Sequence, residues 1–76
     1  MASVMKEPKF PLFMSLLYSK GIDVKEFAEY LVNLGYGEYN YSNVRKKLRG
    51  DAALNFEDII VFSEAMKTEP AIFFES

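Results

Sequence analysis

The chain predicts an all-α domain, a compact bundle of four to five helices built around a helix-turn-helix. Three observations carry that expectation. Val24, Phe27, Ala28, Leu31 and Leu34 fall at steps of three, one, three and three, which lays them along one helical face. After a turn rich in Gly and Tyr comes a short basic segment, Ser42 to Arg49, with Val44 and Leu48 as its i and i+4 apolar pair. Alternation of apolar and polar residues is short and broken everywhere, so no strand competes.

The elements follow in order. Residues 1–9 are polar and mixed in charge and read as a flexible N-terminal arm, leaving residues 10–76 as a single domain. Pro11 suits a first helical position, where its missing N–H costs nothing. A helix from about Pro11 to Ser19 would point Phe13, Leu16 and Leu17 inward, with Phe10 stapling its start and Gly21 ending it. Asp23 can cap the next helix, and Glu26, three residues on, can complete a capping box. That helix runs to about Leu34 and is stopped by Gly35 and Gly37. The connection from Gly35 to Tyr41 holds Tyr36, Tyr39 and Tyr41. Ser42 is the expected cap of the basic helix, and Gly50 its stop. After the connector Asp51-Ala52-Ala53-Leu54, Asn55 can cap a fourth helix. Glu57 and Asp58 in its first turn are favoured by the helix dipole. Ile59, Ile60, Phe62, Ala65 and Met66 would form its buried side. Pro70 opens a last short helix to Phe74.

Composition narrows the function. Seventy-six residues allow one domain with a marginal core, which seven Phe and five Tyr enlarge. With neither His nor Cys, the commonest general base, the commonest metal ligand and the thiolate nucleophile are missing. No carboxylate spacing resembles a calcium loop and no glycine pattern a phosphate loop. The reading is therefore no enzyme, no cofactor, no metal and no small-molecule substrate. Without a signal-peptide pattern or an apolar run of about 18–20 residues, a cytoplasmic protein that does not span a membrane is expected. Charge is unevenly spread along the chain, whose net charge is −2. Residues 39–50 carry Arg45, Lys46, Lys47 and Arg49 and no acid; residues 51–76 carry Lys67 against Asp51, Glu57, Asp58, Glu64, Glu69 and Glu75. One positive patch sits on an acidic body.

The chain resembles the Cro/repressor (XRE-like) family of small phage and bacterial helix-turn-helix regulators. Gly21-Ile22-Asp23-Val24-Lys25-Glu26-Phe27-Ala28 is similar to that family's approach to the first motif helix, including the small alanine where the two helices meet. Ser42-Asn43-Val44-Arg45-Lys46-Lys47-Leu48-Arg49-Gly50 resembles its recognition helix and the glycine after it. Phe56 to Met66 resembles the following core helix, and Lys67 to Phe74 the short closing one. The likeness spans about Leu12 to Phe74. Here Ala28 and the turn glycine are farther apart than in the family pattern, so the first motif helix or the turn is longer by about one turn. The resemblance implies a lambda-repressor-like fold and sequence-specific binding of double-stranded DNA by a transcription regulator of phage or mobile-element origin.

On that reading Ser42, Asn43, Arg45 and Lys46 face base edges in the major groove. Arg and Lys donate to guanine O6 and N7, and Asn pairs with adenine N6 and N7. Lys47 and Arg49 reach phosphates. Lys25, in the first turn of its helix, stands where the resemblance implies a phosphate contact; a surface pair with Glu29 at i+4 is the alternative. The hydroxyls of Tyr39 and Tyr41 are open to phosphate contact or to packing, while Tyr36 reads as a packing residue. Of Phe73 and Phe74, one ring would close the core and the other form a homodimer contact, unless both are core. An alternative function from another class is kept: a protein-binding antagonist that uses this fold to block a cognate repressor, towards which the acidic body leans.

Overall fold

The computed structural model describes residues 9–74. The expected N-terminal arm falls, except for Lys9, outside them. The elements are α1 (Pro11–Ser19), α2 (Val24–Asn33), α3 (Tyr41–Arg49), α4 (Phe56–Ala65) and a closing 3-10 turn, Pro70–Phe73. There is no strand among the described residues. The domain is compact and all-α, an arrangement consistent with a small helix-turn-helix-type fold. The closing element is a single 3-10 turn rather than a short α-helix. Its bonds run from Ile72 N–H to the Glu69 carbonyl and from Phe74 N–H to that of Ala71, the i→i+3 pattern suited to so short a piece.

Two of the helix starts fall at the expected caps, Asp23 and Asn55. Asp23 accepts from the Glu26 N–H at 2.8 Å, and Glu26 accepts from the Asp23 N–H at 3.1 Å. Asn55 and Asp58 repeat that reciprocal box at the start of α4, both bonds at 3.0 Å. The third start differs. α3 begins one residue earlier than expected, and its cap is Asn40, whose side chain accepts from the Asn43 N–H at 3.0 Å. Ser42 is instead the second residue of the helix and lies exposed. Both side chains are competent caps. The choice falls to Asn40 because Tyr39, just before it, is fixed in the core. Asn40→Ala is therefore expected to destabilise the domain by about 1 kcal/mol, and Ser42→Ala by no more than a few tenths. Urea melts of the two variants would compare them, and a larger loss for Ser42→Ala than for Asn40→Ala would place the cap at Ser42.

The helix ends share one device. In each, the last turn is closed by a long and a short backbone bond: Ile22 to Leu17 and Gly21 to Tyr18 after α1, Tyr36 to Leu31 and Gly35 to Val32 after α2, Asp51 to Lys46 and Gly50 to Lys47 after α3, Thr68 to Ser63 and Lys67 to Glu64 after α4. This is the Schellman motif, which needs a residue in the left-handed region. Gly21, Gly35 and Gly50 supply it at the first three ends; at the fourth, Lys67 is held at φ 56°. Left-handed backbone is strained for a residue with a Cβ. Lys67→Gly is expected to stabilise the domain by about 0.5–1 kcal/mol and raise Tm by several degrees. An unchanged or lower Tm on calorimetry would refute that.

α2 ends at Asn33, so the long separation between Ala28 and α3 includes a seven-residue turn, residues 34–40. Leu34, expected on the inward face, caps the helix and is half-exposed. Ala28 is buried where α2 meets α3, as the small side chain there requires.

The core is built of rings. Phe62, fully buried, lies 5.2 Å from the Phe27 ring and 5.3 Å from that of Tyr39, edge to face in both cases. It stacks on Phe13 at 6.2 Å, and Phe13 stacks on Phe73 at 4.6 Å. Leu17, Leu31, Val44, Leu48, Ile59 and Met66 fill in around them. The buried face of α4 also includes Ser63, while Ile60 and Ala65 sit at its margin.

Candidate nucleic-acid interface

At about 100° per residue, Ser42, Arg45, Lys46 and Arg49 fall within roughly one third of the circumference of α3. Val44 and Leu48 occupy the opposite side and are buried. Packing of that apolar pair against the core thus turns the four polar residues outward together, and all four are exposed. Arg45 and Lys46 make no ion pair among the described residues; Arg49 lies 3.7 Å from Asp51, with both side chains more than half exposed. Such a pair is weak and easily exchanged for another anion. The cations of the last turn also complement the C-terminal dipole of α3.

Lys25 is exposed in the first turn of α2 and does not pair with Glu29. Lys25 and Tyr41, the first residue of α3, line one shallow cleft with Met14 and Tyr18. Tyr41 is 45% exposed, so its ring edge remains accessible. The structure therefore places Lys25 and Tyr41 beside one another, at the end of α3 that carries Ser42.

Three of the expected contact residues are engaged elsewhere. Tyr39 is buried, and its hydroxyl donates to Asp58 Oδ1 at 2.6 Å. Lys47 lies at the margin of the buried face of α3, away from the stripe; its Nζ donates to Asp58 Oδ2 and to the Ala53 carbonyl at 3.2 Å. The phosphate contacts expected of Tyr39 and Lys47 are corrected accordingly: both groups are committed to a carboxylate inside the domain. Asn43 Nδ2 donates to the Glu38 carbonyl at 2.8 Å, tying the turn to α3. That occupies part of the amide a base would need, since pairing with adenine uses both its donor and its acceptor.

Asp58 does more than its place in the first turn of α4 suggests. Expected only to complement a dipole, it is 4% exposed and accepts from Tyr39, Lys47 and the Asn55 N–H. Burial by itself pushes its carboxyl upward. The bonds from Lys47, Tyr39 and the Asn55 backbone outweigh that and hold it below its ordinary 3.8. Tyr39 moves the other way: burial, and then the Asp58 carboxylate its proton bonds to, raise it well above the usual phenol range. The Asn55-x-x-Asp58 spacing marks the capping half of this arrangement in the sequence. Nothing local marks Tyr39 and Lys47 as its partners.

Phe73 is core, stacked on Phe13 and edge-on to Phe10 at 5.4 Å. A dimer contact through Phe73 is corrected by that burial. Phe74 is 67% exposed. No helix among the described residues is long and apolar enough to cross a membrane, and no group of three or more acidic side chains among them is placed to hold a metal. No protein-family model, curated protein or solved structure matches the chain.

Proposed function

We propose that the protein binds double-stranded DNA as a transcription regulator of the Cro/repressor type, laying α3 in the major groove. The observation that carries this is the exposed stripe Ser42–Arg45–Lys46–Arg49, three cations and a hydroxyl on one face of a helix whose other face is locked in the core. Arg45 and Lys46 would donate to guanine edges and Ser42 to either base type. Arg49, Lys25 and Tyr41 would reach phosphates on either side. Asn43 would contribute through the part of its amide not bonded to Glu38. Lys47 contributes nothing directly; it steadies the helix from behind.

With Lys47 paired to Asp58, four cations are left to meet the duplex. Three to four cations brought onto the duplex, from Arg45, Lys46, Arg49 and Lys25, displace as many counterions and give a log–log salt slope of about −3 to −4. Affinity for a cognate duplex then falls roughly 40- to 150-fold between 50 and 200 mM salt. Fluorescence anisotropy with the duplex upstream of the protein's own gene, against a scrambled duplex, measures both slope and specificity. The variant Arg45→Glu/Lys46→Glu alters two exposed side chains and is expected to keep its circular dichroism while losing binding by at least roughly 30-fold. Absence of duplex binding at low salt would sink the reading. It would favour the antagonist of a cognate repressor, a role to which the half-exposed Val32 and Leu34 near the turn would lend an apolar docking edge.

A further inference from the structure

A groove of about 340 Å³ runs between the C-terminal ends of α1 and α4 and the outer side of α2. Ile22, Phe27, Ala65 and Met66 give it an apolar floor. Lys20 and Lys67 line it, one at each helix end, and neither makes an ion pair among the described residues. Glu26 also lines it, but its carboxylate is drawn to the Asp23 N–H in the capping box. Tyr30, partly exposed, adds a ring and a hydroxyl. The residues lining the groove thus carry a net charge of +1, on a chain whose net charge is −2.

Lys67 supplies a second observation. The first three helices end on glycine in the left-handed position; α4 alone places a long cationic side chain there, against the backbone preference. The strained position and the groove coincide at this residue. A side chain kept where glycine is favoured is explained if the side chain itself is used.

We propose that this groove binds a small amphipathic carboxylate, its apolar body on Ile22, Phe27 and Met66 and its carboxylate between Lys20 and Lys67. The volume lies within the range of small-ligand sites, and apolar walls with a few placed polar groups are their usual make-up. The site is separate from the α3 stripe and does not depend on DNA binding.

The probe is octanoate, with octan-1-ol and octylammonium presenting the same chain under a neutral and a cationic head. Methyl NMR of the full chain is expected to show saturable shifts at Ile22 and Met66 with octanoate, at a Kd of roughly 0.1–1 mM for so small a ligand. Octanol should bind several-fold more weakly, and octylammonium more weakly still. The decisive variant is Lys67→Gly, which relieves backbone strain and so cannot lose the ligand by unfolding. It is expected to bind octanoate about threefold more weakly, and Lys20→Glu/Lys67→Glu at least about tenfold more weakly, as exposed ion pairs allow. Alike binding of all three heads would overturn the proposal. So would undiminished octanoate binding by Lys67→Gly, or no saturable methyl shift at concentrations well above that range.

Discussion

Replacing Asp58 with Ala is expected to destabilise the domain by about 3–5 kcal/mol, the usual cost of removing one side of a buried, hydrogen-bonded charge pair. For a chain of this length the whole folding free energy is of order 4–11 kcal/mol, so the variant stands at the edge of unfolding. The loss has three origins. Lys47, largely covered, keeps its charge without the carboxylate; the buried Tyr39 hydroxyl loses its acceptor; and the Asn55 N–H at the start of α4 goes unpaired. Asp58→Asn keeps the shape and an acceptor but not the charge, and should lose less. The pH dependence identifies the cause. A carboxyl held below its ordinary 3.8 contributes stability that is fully present above that value and is lost as pH falls through its folded pKa. The gap between the parent protein and Asp58→Asn should therefore close in acid. A gap that stays constant from neutral pH into strong acid would rule the charge out as its source. The partner titrates in the opposite sense. Tyr39, raised above 10.0, contributes stability that is present below that pH and lost as pH climbs past it. Tyr39→Phe should remove that alkaline loss, and ultraviolet titration of the folded parent should find Tyr39 the last of the five tyrosines to ionise.

Phe62→Ala is expected to cost about 3–5 kcal/mol as well, through a different mechanism. Phe62 belongs to α4, yet its ring meets Phe13 of α1, Phe27 of α2, Tyr39 of the turn and Phe73 of the closing 3-10 turn. Removing it opens a cavity that no single neighbour can fill, because the surrounding rings are held by one another. Phe62→Leu retains most of the volume and should cost less than half as much. Denaturation monitored by tyrosine fluorescence and by far-ultraviolet circular dichroism should give coincident transitions for both variants. A loss below about 1.5 kcal/mol for Phe62→Ala would mean that the ring cluster collapses onto the gap.

The sequence was most legible where structure depends on near neighbours. Asp23 with Glu26 and Asn55 with its first-turn acids announce two helix starts, because a cap and the N–H it serves lie three residues apart. The step pattern of Phe27, Ala28 and Leu31 announces the buried face of α2 for the same reason. The α3 stripe was legible too, since Val44 and Leu48 fix which side of the helix is turned away from solvent. What near neighbours do not reveal depends on distant partners. Lys47 and Tyr39 look like surface groups until Asp58, 11 and 19 positions along the chain, meets them. The choice of Asn40 over Ser42 as cap turns on that same anchoring of Tyr39. The left-handed Lys67 gives no local sign, since lysine is a common surface residue and its strained backbone is dictated by the Thr68–Ser63 and Lys67–Glu64 bonds.

The repeated closure of the helix ends bears on how such a chain can change. Each helix is closed by the two or three residues that follow it, whose N–H groups occupy two of the carbonyls of its last turns. Beyond the residues that make those bonds and the cap of the next helix, a connector does not have to complete either neighbour. Residues can be gained or lost between two helices without shifting the register of side chains inside them. The seven-residue turn before α3 is a place where such a change is tolerated. Such a chain can alter how α3 is offered while the ring core stays the same, and insertions should gather at Gly37 and Glu38, between the residues that close α2 and the anchored Tyr39.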